Sequence, residues 1–416
     1  MHHGGDMATV ATTPPVPLWR NRDYVLLWCG QLVNVMGTQV SQIAYPLLVL
    51  ALTNSPAQAG FVAAARTVPY LLFSLPAGAL VDRWNRKVVM ILCSVGGALA
   101  LGSIAVAFAF GVLTIAQIVV VSFVEGTLSL VFGLAESSAL SQVVAREQLP
   151  EAVAQSGALG AVGTVIGPSL GGVLYGITHL LPFVVDACSY AVSAGSLGFI
   201  RTRLQGQRTV ARRSLVVEIG EGVGWIWGQP LIRYMAFLTG SLNFANILTL
   251  TAIVILTRAG VSSSTVGVVF AVAGVGGIAG ALLAPRIQRR LSFGQAVVAI
   301  CWFLPAMYLL FAVTRLPVLI ALLFAVVGLV SPAYNTVQLS YRLALIPDAL
   351  QGRVNSAFRL VAQGMTPLGA ALAGVLIERV GVTATILAFA GWLLVVAVLT
   401  SANRHVRHAP ALTAQT

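Results

Sequence analysis

Apolar runs, each about as long as a membrane-crossing helix and separated by short polar interruptions, set the rhythm of this chain. A helix needs ~20 mostly apolar residues to cross the hydrocarbon core. Twelve such segments are predicted, at 24–50, 59–81, 88–110, 115–138, 152–176, 182–200, 232–257, 265–285, 295–313, 318–340, 355–377 and 383–401. Backbone amides in lipid must be satisfied within the element, and these segments lack the alternation of a barrel strand, so the pattern predicts helices.

Composition supports that reading. Only 9% of the chain is Asp, Glu, Lys or Arg, 58% is hydrophobic, and the mean hydropathy is +0.91. A soluble domain carries about 25% charged residues, so a soluble globule is excluded. The net charge of +12 changes the picture less than it first suggests. All Lys and Arg except Arg66, Arg258, Arg315 and Arg379 fall in tails, loops or segment ends on one side of the predicted segments. That bias predicts both termini in the cytoplasm, and the excess is topological rather than a footprint for nucleic acid. Met1–Pro17 is polar and Pro-rich, so the first segment is expected to act as its own insertion signal. Cys29, Cys93, Cys188 and Cys301 lie in apolar segments without CxxC spacing, which predicts neither a disulfide framework nor a metal site. His179, His405 and His408 are too scattered for one.

The longest polar interruption, 201–230, carries Arg201, Arg203, Arg208, Arg212 and Arg213 and then turns amphipathic through Ser214–Gly228. Trp225 and Trp227 suit a helix at the headgroup level, and the arginines suit anionic lipid. The halves on either side echo each other. Gly78-Ala79-Leu80 returns as Gly280-Ala281-Leu282 before Arg286, Arg289 and Arg290, and Gly167-Pro168-Ser169-Leu170-Gly171 returns as Thr366-Pro367-Leu368-Gly369. The two displacements are nearly equal, which predicts an internal duplication. The organisation expected is a tail (1–22), an N-terminal six-helix bundle (23–200), a linker with an amphipathic helix (201–230), a C-terminal six-helix bundle (231–403) and a second tail (404–416).

In so charge-poor a chain, the cluster Asp82-Arg83-Trp84-Asn85-Arg86-Lys87 closing the second segment after Gly78 needs a reason. It resembles the loop between helices 2 and 3 of the major facilitator superfamily, G-x-L-x-D-R-x-G-R-[RK], with Asn85 where the family has Gly. Asn is the next most tolerant residue of a left-handed backbone. The resemblance implies an all-α membrane fold of two six-helix bundles around a central cavity, with this loop (Gly78, Asp82, Arg83, Arg86, Lys87) as a cytoplasmic gate. Gly78 is expected to let helix 2 approach a neighbour closely, and the basic residues to pair with acids and helix carboxyl ends. Gly163, Gly167, Pro168, Gly171 and Gly172 in segment 5 make a small-residue groove and resemble the family's antiporter motif, with Ala154 where the extended form has Gly. Pro347-Asp348 with Gly352-Arg353-Val354 and Ser356 resembles a loop of the third family of drug:proton antiporters, which includes macrolide and siderophore exporters.

Ionisable residues inside spans are costly and are functional candidates by default. Glu125 lies midway along segment 4; Glu125, Ser129, Phe132 and Glu136 share one helical face. Glu125 is a candidate for proton or cationic-substrate work, and Glu136, nearer the cytoplasmic end, for a gate or solvated cap. Asp186, one turn into segment 6, is a candidate for capping helix ends or for coupling. Arg66, the one cation well inside a segment, needs a carboxylate, a backbone carbonyl or water, with Asp186 on the same membrane half as one candidate partner and an anionic substrate group as the alternative. Gln31, Asn34, Thr38, Ser41 and Tyr45 form a polar stripe on segment 1, with Asn243 and Asn246 on segment 7 and Tyr334, Asn335 and Gln338 on segment 10. By the resemblance these helices line the cavity, and the polar residues predict a water-accessible path.

No G-x-x-x-x-G-K-[ST] is present, so ATP hydrolysis does not drive this chain. No nucleophile–base or metal constellation supports an enzyme, and no cofactor is expected. The expected protein is a monomer of the bacterial inner membrane that exports an amphipathic small molecule in exchange for protons. A solute importer or facilitator, or a non-transporting membrane sensor, are the alternatives.

Overall fold

A computed structural model describes residues 17–202, 204, 215–347, 350–407 and 409. Arg203, Arg208, Arg212, Arg213, Ser214, Asp348 and His408 lie outside the described residues, as do the side chains of Asp82, Arg289 and Arg290. Among the described residues there are helices and turns and no strand. The N-terminal half comprises α1 (Arg22–Thr53), α2 (Pro56–Arg83), α3 (Arg86–Ala109), α4 (Ile115–Val143), α5 (Leu149–Ile177) and α6 (Leu181–Phe199). The linker helix is α7 (Leu215–Gly228). The C-terminal half comprises α8 (Pro230–Phe244), α9 (Leu248–Arg258), α10 (Ser263–Arg290), α11 (Phe293–Val313), α12 (Pro317–Leu345), α13 (Gln351–Gly364), α14 (Thr366–Val380) and α15 (Val382–Ala402), with a last turn α16 (Arg404–Arg407).

The helix ends follow from local chemistry. Asn21, Ser55, Asn85, Thr114 and Ser292 cap helices by accepting backbone N–H bonds, and Pro56, Pro230 and Pro317 occupy first-turn positions where a missing donor costs nothing. Asn54 (φ 55°) and Gly381 (φ 87°) supply the left-handed residues that reverse the chain between α1 and α2 and between α14 and α15. Asn85, by contrast, is extended (φ −66°, ψ 109°), and its side chain accepts from the backbone of Lys87 and Val88. The residue that replaces the family's Gly therefore acts as the cap of α3, not as a left-handed turn.

The twelve predicted segments are present, with two corrections. Segment 7 is interrupted at 245–247 between α8 and α9, and segment 11 at Met365 between α13 and α14. The first break has no Pro or Gly to announce it. It is held by side chains: Asn243 Nδ2 donates to Ala362 O at 2.8 Å, and the Tyr308 hydroxyl donates to Ala245 O. The second coincides with Pro367, which cannot supply a backbone donor. Among the described residues, ten stretches, counting each broken pair as one, are long and apolar enough to cross a membrane; α2 and α6, which carry Arg66 and Asp186, pack among them.

The packing bears the repeat. In the N-terminal half α1 packs on α5, α2 on α4, and α3 on α6; in the C-terminal half α8 packs on α13, α10 on α12, and α11 on α15. The halves meet through α5 against α10 and α2 against α14. At the end away from the termini, one continuous apolar core runs through both halves, from Leu47 and Phe183 to Leu256 and Phe389. At the end that carries the termini and α7, each half has a separate core of its own. The apolar core is thus shared by the halves at the far end and divided between them at the terminal end.

Candidate functional site

Three helices of the N-terminal half deliver one buried ionic centre. Glu125 on α4 is fully buried; its Oε1 accepts from the Arg66 guanidinium on α2 at 2.7 Å, and its Oε2 accepts from the Tyr45 hydroxyl on α1 at 2.9 Å. Arg66 also lies 5.8 Å from the centre of the Tyr45 ring, a cation–π distance. The residue after Glu125 explains how a short bond spans two helices: a side chain on Gly126 would collide with the Arg66 carbonyl, so only Gly lets α4 touch the α2 backbone here. Arg66 therefore pairs with Glu125 and not with Asp186.

Asp186 is also fully buried. Its Oδ1 accepts from the Ser189 hydroxyl at 3.1 Å, and its Oδ2 has no hydrogen-bond partner among the described residues. Gly37 on α1 leaves the room that Asp186 and Ser189 occupy. The cluster thus holds two buried carboxylates and one guanidinium. On the face that begins at Glu125, Ser129 bonds to the Tyr190 hydroxyl at 3.3 Å and Phe132 is buried. Glu136 is half-buried and makes no ion pair among the described residues.

The polar stripes separate on inspection. Gln31, Asn34 and Thr38 are partly exposed, whereas Ser41 is fully buried and bonds to Thr38 O, so it does not line a cavity. Asn243, Asn246, Tyr334 and Asn335 line a cavity of about 290 Å³ at mid-depth in the C-terminal half. Gln338 is buried behind it, donating to the Tyr334 hydroxyl at 2.6 Å. Thr239, Tyr308 and Ser331, which the sequence pattern did not mark, also contribute polar groups to its wall.

The described side-chain contacts of the 2–3 loop lie within its own half. Lys87 Nζ donates to Gly198 O (3.0 Å) and Ile200 O (2.7 Å) at the carboxyl end of α6, and Arg86 reaches Ser138 O on α4 at 3.4 Å. Arg83 is exposed, and the space beside Gly78 is open, so the expected close approach at Gly78 is not made here. The small residues of α5 do make a groove: Gly163, Gly167 and Gly171 meet Val35, Gln39 and Val40 on α1, while Gly172 meets Gly267 on α10 across the two halves.

Two cross-links lay beyond the sequence reading. At the far end, the Glu378 carboxylate on α14 accepts from the Ser55 hydroxyl and from Ala57 N at 3.0 Å, capping the first turn of α2 from the other half. A side chain at Gly60 would come within 2.6 Å of Ala370 O, so α2 and α14 touch backbone to backbone beside that cap. At the terminal end, Glu221 on α7 pairs with Arg353 on α13, and Gly222 lies against the Arg353 carbonyl. The linker helix is therefore docked on the C-terminal half through Ile226 and its neighbours, with Trp227 left exposed. Glu378 was the one signal available for the first link: an acid near the end of an otherwise apolar stretch, with its partner far away in sequence.

Comparison with known proteins places this geometry. The model of the Major Facilitator Superfamily matches residues 27–366. The multidrug efflux pump Tap of Mycobacterium tuberculosis (strain ATCC 25618 / H37Rv) is 30% identical over 400 residues, covering 88% of this chain and 89% of that protein. Macrolide efflux protein A of Streptococcus pyogenes is 24% identical over 208 residues, 49% of this chain and 51% of its own length. The crystal structure of a bacterial homologue of the human lysosomal transporter Spinster, inward-facing and unoccupied, superposes with a TM-score of 0.74 at 15% identity, over 92% of this chain and 96% of that one. The twelve crossings, the duplicated halves and the family match agree: the chain belongs to the Major Facilitator Superfamily.

Proposed function

We propose that this protein exports an amphipathic small molecule from the bacterial cytoplasm in exchange for protons, by alternating access between its two halves. The single observation that carries the reading is the Arg66–Glu125–Tyr45 centre, an ion pair sealed inside a membrane bundle with a second carboxylate, Asp186, beside it. Such a centre is expensive to keep unless it does work. Protonation of Glu125 removes the charge that holds Arg66, and because Gly126 ties this spot to the α2 backbone, the change bears directly on α2. That helix forms the seam with α14. A proton taken up at Glu125 is in this way linked to the closure of the far end. The efflux direction is supported by the relatives named as efflux pumps and by the glycine groove of α5. The basic bias of the tails and loops supports a cytoplasmic terminal end, and with that reading the two separate cores lie on the cytoplasmic side.

The test is Glu125→Gln in cells lacking their own pumps, scored for resistance to a panel of antibiotics with and without a protonophore. Compared at equal amounts of membrane protein, the expected variant loses all protonophore-sensitive resistance. Full resistance in Glu125→Gln removes this residue as the coupling site.

A further inference from the structure

The C-terminal cavity differs in kind from the N-terminal centre. Among the described residues, no Asp, Glu, Lys, Arg or His lines it. Its walls are apolar, including Leu242, Ile300, Leu304 and Val327, and its polar groups are amides and hydroxyls. Several of these are committed within the protein. The Asn243 amide nitrogen is held by Ala362 O, Tyr308 is held by Ala245 O, and the Tyr334 hydroxyl sits between Gln338 Nε2 at 2.6 Å and Thr239 Oγ1 at 3.1 Å. These bonds fix the wall and leave the Asn243 carbonyl available. The Asn246 and Asn335 side chains, both exposed, have no protein hydrogen-bond partner among the described residues. Each carboxamide offers two donors and an acceptor.

We propose that this pocket binds an uncharged, hydrogen-bonding ring or amide of the transported molecule, held by the Asn246 and Asn335 carboxamides. An ionised group entering here would lose water without gaining a counter-charge, so the pocket discriminates against both cations and anions. Its size points the same way: drug-sized ligands fill ~300–1,000 Å³, so about 290 Å³ takes one or two rings and not a whole macrocycle. The two halves then divide the labour, the N-terminal one handling charge and the C-terminal one reading uncharged polarity and shape. That the bound molecule is also exported rests on the efflux reading above; the binding itself does not.

The test uses the purified full chain and two probes in equilibrium dialysis. Chloramphenicol is an uncharged amide and diol on one aromatic ring; ethidium is a permanent cation with no acyl group. The expected result is that Asn335→Leu and Asn246→Leu, near-isosteric changes at exposed positions, each weaken chloramphenicol binding about tenfold while ethidium is unaffected. Asn335→Asp is expected to weaken chloramphenicol and strengthen ethidium. A wild-type chain that does not bind chloramphenicol overturns the proposal. So does a pair of Leu variants that elute as wild type yet bind both probes unchanged, or lose both together. Chloramphenicol binding of the expected pattern without export in energised vesicles supports the pocket and defeats the efflux reading instead.

Discussion

At the scale of single residues, one guanidinium, Arg66, pairs with one of two buried carboxylates, Glu125, and leaves Asp186 beside it without an ion pair. Glu125 and Asp186 were legible in the sequence because an acid in a charge-poor apolar run stands out. Their pairing was not. Arg66 and Asp186 lie on the same membrane half, but which helix faces meet depends on Gly126, whose missing side chain brings α4 onto α2. A prediction follows from the pairing. Arg66→Met leaves Glu125 buried without its counter-charge and is expected to destabilise the protein by about 3–5 kcal/mol, measured by unfolding in detergent. Adding Glu125→Gln to Arg66→Met is expected to recover much of that loss, because an uncharged pair needs no compensation. A double variant as damaged as the two single losses added together would show that the two residues do not act as a pair. Asn85 makes the same point on a smaller scale: the motif predicts a turn, and local hydrogen bonding makes the residue a cap.

At the scale of elements, hydropathy located all twelve crossings but missed the break between α8 and α9. That interruption arises from tertiary bonds, Asn243 to Ala362 and Tyr308 to Ala245, which no local propensity encodes. The linker helix was legible as amphipathic, but its apolar face meets α13, and Glu221 pairs with Arg353. The far-end seam is the element on which alternating access depends. There Glu378 caps α2 from the opposite half, and Gly60 and Gly374 allow backbone contact. A cap of this kind biases the balance between two states without fixing it. Glu378→Ala and Gly374→Val are therefore expected to favour the far-end-open state. The check is labelling of a cysteine introduced at Ala57 by a membrane-impermeant thiol reagent: faster labelling than in the otherwise wild-type cysteine variant is predicted. Equal rates would mean that this seam does not set the closure.

At the scale of the whole molecule, the repeat seen as echoed motifs is seen again in the paired packing of each half. One apolar core bridges the halves at the far end and two serve them separately at the terminal end. A duplicated pair of bundles joined in this way has an equivalent arrangement with the opposite end closed, which is the basis of alternating access. The fold and membrane class were legible because lipid demands long apolar helices. The cargo was not, because a pocket is assembled from residues on α8, α11 and α12 that no sequence spacing relates. The central claim is that export and proton movement are one process routed through Glu125. Everted membrane vesicles with an acidified lumen test it most directly, by following luminal pH as exported antibiotics are added. The account predicts that a transported compound dissipates the pH gradient in the wild type and leaves it intact in Glu125→Gln; equal dissipation in both, or antibiotic accumulation with no proton movement, would contradict it.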